Sequence, residues 1–194
     1  MVRYTHFHIL DPMAHNVSID LLDRAGREPA PMIRFILRWM GFNGWLAAVT
    51  GCERDHQMIN ALAAELRMAS SYERLITTNP DFRREIDAFA AHWPVLNVAH
   101  VRATLGYNAF RRYDRAALLA ACEAQRVKKQ PRNWIPDTTP NWEQLLRTLY
   151  QVRCNLFHGE KSDQSARDRD LVFTSDRILH ELLVGTGCIN WHDE

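Results

Sequence analysis

Apolar residues recur at three- and four-residue spacing over most of the chain, which predicts a protein built from amphipathic helices. One run carries the pattern furthest: Trp142, Leu145, Leu146, Leu149, Leu156 and Phe157 form one stripe. Thr139 can cap its start, Pro140 suits the first helical position, and Gly159 is the natural stop. A second helix, from about 32 to 50, carries Met32, Phe35, Ile36, Trp39, Met40, Leu46 and Ala47, with Asn43 in mid-stripe and Gly51 at the end. Arg34, Arg38 and Trp45 fall on its opposite face, open to solvent or to a partner chain. Further helices are predicted over 54–70, with a break at Ser70-Ser71, from the Asn79-Pro80 cap to about 92, over 95–125 with an interruption at Gly106, and over 170–184. Residues 127–140 read as a proline-punctuated connector. Residues 1–31 show no clear period, and turn signals at Asp11-Pro12, Asn16, Gly26 and Pro29/Pro31 make them an irregular arm.

Arg153 falls near the middle of the stripe that ends at Phe157. A guanidinium facing a core costs several kcal/mol, on the order of a buried ion's desolvation, unless it is paired or used. One reading is a buried arginine matched to a carboxylate. The other joins it to His158, five residues on at the helix end, although a cationic histidine there also suits a helix terminus by itself. Asn43 likewise has two readings, a satisfied core amide or a group that orients Arg153 across the helix interface.

The run Tyr150-Gln151-Val152-Arg153-Cys154-Asn155-Leu156-Phe157-His158-Gly159 resembles the arginine-x4-histidine signature of bacterial members of the HEPN superfamily (higher eukaryotes and prokaryotes nucleotide-binding domains). The run Phe35-Ile36-Leu37-Arg38-Trp39-Met40-Gly41-Phe42-Asn43-Gly44-Trp45-Leu46 resembles that family's first core helix, so the likeness spans roughly 32–184. It implies an up-and-down helical bundle with additional helices. It also implies a metal-independent endoribonuclease, a toxin or antiviral effector whose active site forms where two copies meet, with a cognate antitoxin or defence-system protein as a further partner. Arg153 and His158 would be catalytic, with Cys154, Asn155, Asn43, Glu160 and Lys161 as auxiliary groups. One departure stands out: Cys154 follows the arginine where a polar residue such as asparagine is common. A non-catalytic module binding RNA, nucleotide or a partner protein is the alternative.

Composition adds limits. With 194 residues, 46% of them hydrophobic, the chain is long enough for one substantial core, so a single domain is expected, with a tail over 185–194 that Trp191 can anchor. Net charge is +1, which gives no bulk attraction to nucleic acid. Four scattered cysteines, no leader-like segment and no long apolar run lead to the expectation of a cytoplasmic protein off the membrane. His6, His8 and His15 have no further ligands at metal-site spacing, and neither metal nor cofactor is expected. Locally the charge differs: residues 111–132 hold seven basic side chains against Asp114 and Glu123. Arg111, Arg112, Arg115, Lys128, Lys129, Arg132 and the aromatic Trp134 are candidate RNA contacts, since cations neutralise phosphates and rings stack on unpaired bases. A solvated basic face is the plainer reading.

For RNA as substrate, attack of a 2′-hydroxyl on the adjacent phosphorus expels the 5′-oxygen and leaves a 2′,3′-cyclic phosphate. An imidazole with a pKa of about 6.5 suits the proton transfer, and a guanidinium suits the charge building on phosphorus. On an ideal helix His158 points about 140° away from Arg153 and lies about 7.5 Å further on. Two motif helices meeting across a twofold axis would solve that mismatch, so a homodimer is expected.

Overall fold

The computed structural model describes residues 12–157 and 166–191, and their regular structure is almost entirely helical. Small residues start the fold. α1 (Pro12–Arg27) turns back along α2 (Pro31–Thr50), and the two approach closely because Gly41 and Gly44 carry no Cβ. A Cβ on Gly44 would lie 2.5 Å from the Ser18 Oγ, and one on Gly41 would lie 2.9 Å from the Ser18 carbonyl. Ser18 is buried there and donates to the Ala14 carbonyl. The irregular arm expected over the first 31 residues is therefore corrected over 12–27. Its contact face mixes the buried Ser18 and Ala25 with Ile19 and Leu22, and the turn-forming residues around them mask the period in the sequence.

α3 (Asp55–Ala63), α4 (Leu66–Thr78) and α5 (Pro80–Ala90) follow. The break between the first two lies at Ala64-Glu65, not at Ser70-Ser71; Glu65 caps α4 by accepting from the Arg67 N–H, and Ser71 is buried within that helix. Asn79 and Pro80 open α5 as their cap chemistry predicts. The chain then makes a two-residue strand, β1 (Val95–Leu96), and three helices, α6 (Val98–Leu105), α7 (Ala109–Arg112) and α8 (Arg115–Ala124). The connector holds a second strand, β2 (Lys129–Gln130), antiparallel to β1 with Leu96 opposite Lys129. α9 (Trp142–Phe157) and α10 (Ala166–Thr186) complete the bundle, and a 3₁₀ turn at Cys188–Asn190 leads to a buried Trp191 with Arg67 over its ring.

The main core gathers the aromatic side of α2 (Phe35, Trp39, Phe42, Trp45) against Leu145, Leu149 and Val152 of α9 and Leu171, Ile178 and Leu182 of α10. A side chain of this size contributes about 1.5–3 kcal/mol when fully buried. A smaller cluster under α6–α8 packs Leu96, Val101, Leu118, Cys122 and Val127.

α2 faces differently from the sequence expectation. Arg38 and Trp45 are buried and Arg34 is largely covered, whereas Met40 of the supposed core stripe is 44% exposed. The reason is α10, which lies on the face assigned to solvent and brings a buried carboxylate. Asp176 accepts from both Arg34 and Arg38, and Arg38 also donates to the Asp176 carbonyl at 3.1 Å. Burial pulls the Arg38 guanidinium below its ordinary pKa, opposed by the Asp176 charge. α9 is capped by Asn141, which accepts from the Gln144 N–H while Gln144 accepts from the Asn141 N–H, a reciprocal cap in place of the one expected from Thr139.

Removing the carboxylate leaves buried cations behind. Asp176→Ala is expected to cost about 3–5 kcal/mol in urea denaturation, while Arg38→Met combined with Asp176→Leu should cost far less. Equal losses in the two proteins would contradict a desolvation origin.

Candidate functional site

The buried arc of α9 is wider than its apolar stripe. Leu145, Leu146, Leu149, Val152 and Leu156 are buried, and so are Thr148, Gln151 and Asn155. Those polar side chains are satisfied. Thr148 donates to the Gln144 carbonyl one turn back. Asn155 donates to the Leu96 carbonyl at 2.8 Å and accepts from the Val98 N–H at 3.2 Å and from the Gln151 amide at 2.9 Å. Asn155 therefore clamps the β1–α6 junction to the back of α9.

This widening moves Arg153 from the centre of the stripe to its rim, and the expectation of a guanidinium set among core side chains is corrected accordingly. Its side chain is 20% exposed and its Nη2 lies 2.9 Å from Asp55 in the first turn of α3. The other oxygen of Asp55 accepts from the Asn43 amide at 3.3 Å. Asn43 thus reaches Arg153 through an intervening carboxylate. Sequence reasoning missed Asp55, since an acidic residue in a first helical turn is ordinary for electrostatic reasons alone.

Tyr150 and Cys154 line the other side of Arg153. The Tyr150 ring stacks on Trp39 with centroids 6.1 Å apart. Burial, with the neighbouring Cys154 thiol and the Asp55 charge, pushes the phenol up to about 12, and the Arg153 charge opposes that. Arg153, Asp55, Asn43, Tyr150 and Cys154 therefore form one cluster at the α2–α3–α9 junction, able to present a fixed guanidinium fork to an anion. Asn155 belongs to the opposite face. His158, Glu160 and Lys161 lie outside the described residues.

The expected RNA contacts divide. Arg111, Arg112, Lys128 and Arg132 are exposed, with Arg112 over the Tyr113 ring. Arg132 borders a polar cleft of about 460 Å³ shared with Asn60, Gln144 and Arg147. Lys129 pairs with Glu123, and Arg115 is held by backbone carbonyls of His92 and Pro94. Trp134 is half-buried and packs edge-on against Trp93 at 5.4 Å, so its ring serves the core. Among the described residues no group of three or more His, Cys, Asp or Glu side chains could hold a metal ion, and no helix is long and apolar enough to cross a membrane. Compared with family models, curated proteins and solved structures, the chain matches none.

The buried phenol has a spectroscopic signature. Ionisation is favoured in the unfolded chain first, near pH 10, and in the folded chain only near 12, so native stability falls as pH rises across that window. Burial raises Tyr72 as well, so tyrosinate absorbance should show late ionisation of which Tyr150→Phe removes one phenol's share; an unchanged titration curve would contradict the burial of this ring.

Proposed function

We propose that this chain is a metal-independent endoribonuclease of the HEPN type, acting as a homodimer. The observation that carries the reading is the Arg153 guanidinium, held at the rim of α9 by Asp55 and through it by Asn43, with part of its surface open. A cation fixed in this way has little orientational entropy left to lose when a phosphate arrives, and an anion in transit to a phosphorane gains most from it. His158 follows within two residues of the last described turn of α9 and supplies the proton acceptor for the 2′-hydroxyl. The 5′-oxygen leaves and a 2′,3′-cyclic phosphate remains. Asp55 positions Arg153 and does not itself meet the substrate.

The second copy has a surface to occupy. Ile33 and Met40 are exposed on α2, Ile36 and Leu37 are half-buried between them, and Asn43 of the candidate site continues the same face. An apolar stripe contiguous with the Arg153 cluster supports a twofold contact that would bring two motif helices to one cleft. A toxin or antiviral role, with a cognate antitoxin or defence-system partner, belongs to the same proposal and follows from the resemblance alone. A non-catalytic RNA-binding module is the second reading. It is favoured by the ion pair itself, since Asp55 already neutralises Arg153, and by Cys154 beside it.

Cleavage in the presence of EDTA tests the chemistry. Arg153→Ala and His158→Ala should each reduce it by at least about 10²-fold with the helical signal unchanged; RNA binding without cleavage by the wild-type chain would select the second reading. Asp55→Asn should lower kcat by about tenfold, near 1.4 kcal/mol in barrier. Met40→Asp should shift sedimentation from dimer to monomer and abolish cleavage together, and a fully active monomer would remove the shared-site argument.

A further inference from the structure

Arg115 opens α8 and Arg167 lies in the first turn of α10, yet both guanidinium groups reach one oxygen. Arg115 donates to the His92 carbonyl at 3.1 Å and Arg167 donates to it at 2.8 Å. Their Nη2 atoms are therefore no more than about 6 Å apart, the two bonds laid end to end. Arg115 makes one further bond, to the Pro94 carbonyl at 2.8 Å. Each guanidinium carries five N–H donors, so most of the donors gathered here have no acceptor among the described residues.

The charge balance is equally one-sided. Asp168 is the carboxylate acting on the pair among the described residues, and it stands 3.9 Å from Arg167, beyond hydrogen-bond length. Burial and the Arg167 charge bring Arg115 down to about 10, and burial lowers Arg167 as well. Capping the carbonyls after α5 would explain one arginine. A second one at the same oxygen adds like-charge repulsion without a new acceptor. The Arg167 side chain is 31% exposed, so solvent and solutes can reach it.

We infer that Arg115 and Arg167 form a phosphate-binding site at the head of β1, separate from the Arg153 cluster. Two guanidinium forks at this spacing can each donate to a tetrahedral oxyanion, which supplies both the missing negative charge and the missing acceptors. The phosphate can come from an RNA backbone or be free inorganic phosphate. As an RNA contact the site rests on the ribonuclease reading, and as an anion site it does not.

Thermal unfolding against inorganic phosphate at constant ionic strength tests the site. The midpoint should rise and saturate for the wild-type chain, Arg167→Gln should abolish that rise, and Arg167→Lys should retain part of it. A rise that does not saturate, or one that Arg167→Gln leaves intact, overturns the proposal. Should Arg167→Gln fail to fold, wild-type crystals soaked in tungstate decide: density bridging the two guanidinium groups supports the site, and its absence overturns it. The source is read from binding of single-stranded RNA by the His158→Ala protein across salt concentrations. Adding Arg167→Gln should lower the slope of log affinity against log salt by about 0.7 per lost phosphate contact. A saturating phosphate response with an unchanged slope upholds the site and assigns it to free phosphate. A wild-type chain that cuts no RNA would remove the ribonuclease reading and leave the phosphate response standing.

Discussion

The orientation of α9 depends on one buried amide. Asn155 is closed off from solvent, and its carbonyl and amine are both committed to the β1–α6 junction and to Gln151. An unsatisfied amide in that position would cost about 1–3 kcal/mol, so the helix cannot rotate without losing that match. Holding Asn155 inward turns the opposite side of the helix outward by the same angle. Arg153 is two residues earlier, about 200° around the axis, and is delivered to the rim where Asp55 waits. A polar residue that touches nothing in the candidate site therefore decides whether the site has a guanidinium at all.

The legible part of this sequence was what strong local signals specify. Helical periodicity, the Asn79-Pro80 start and the Gly51 stop correspond to real elements, since each depends on residues close in the chain. What failed was the width of the buried face. α2 is apolar over most of its circumference: Phe35, Trp39 and Leu46 of the expected stripe are buried, Met40 is not, and Phe42, Trp45 and Arg38 on the other flank are buried as well. Arg34 and Arg38 looked like a polar surface because their partner, Asp176, lies 138 residues beyond Arg38. α1 was hidden for a different reason: Ser18 and the Ala14 carbonyl approach Gly44 and Leu22 approaches Gly41, so a contact face that mixes small and apolar residues is interrupted by polar ones along the helix.

The candidate site was legible in two of its members and not in its geometry. Arg153 and Asn43 could be singled out because each sits where a polar group needs an account. Asp55, which links them, could not, and neither could the commitment of Arg115 to two carbonyls. The basic segment also lost its apparent unity on folding. Lys129 is neutralised by Glu123, Trp134 turns to the core, and the exposed cations are carried on α7 and on both sides of β2.

The arginines of this nearly neutral chain differ in how completely the fold answers them. Arg38 is buried and shares Asp176 with Arg34, so one carboxylate answers two guanidinium groups and joins α2 to α10. Arg153 pairs with Asp55 at a partly open rim, where solvent screening weakens the attraction. Among the described residues, Arg115 and Arg167 meet carbonyl dipoles directly and Asp168 at a greater distance. The three sets are thus compensated in different ways: two guanidinium groups share one carboxylate in the first, one meets Asp55 in the second, and two meet a shared carbonyl in the third. Net charge of +1 therefore says little about local electrostatics, because the fold sets the compensation of each guanidinium separately.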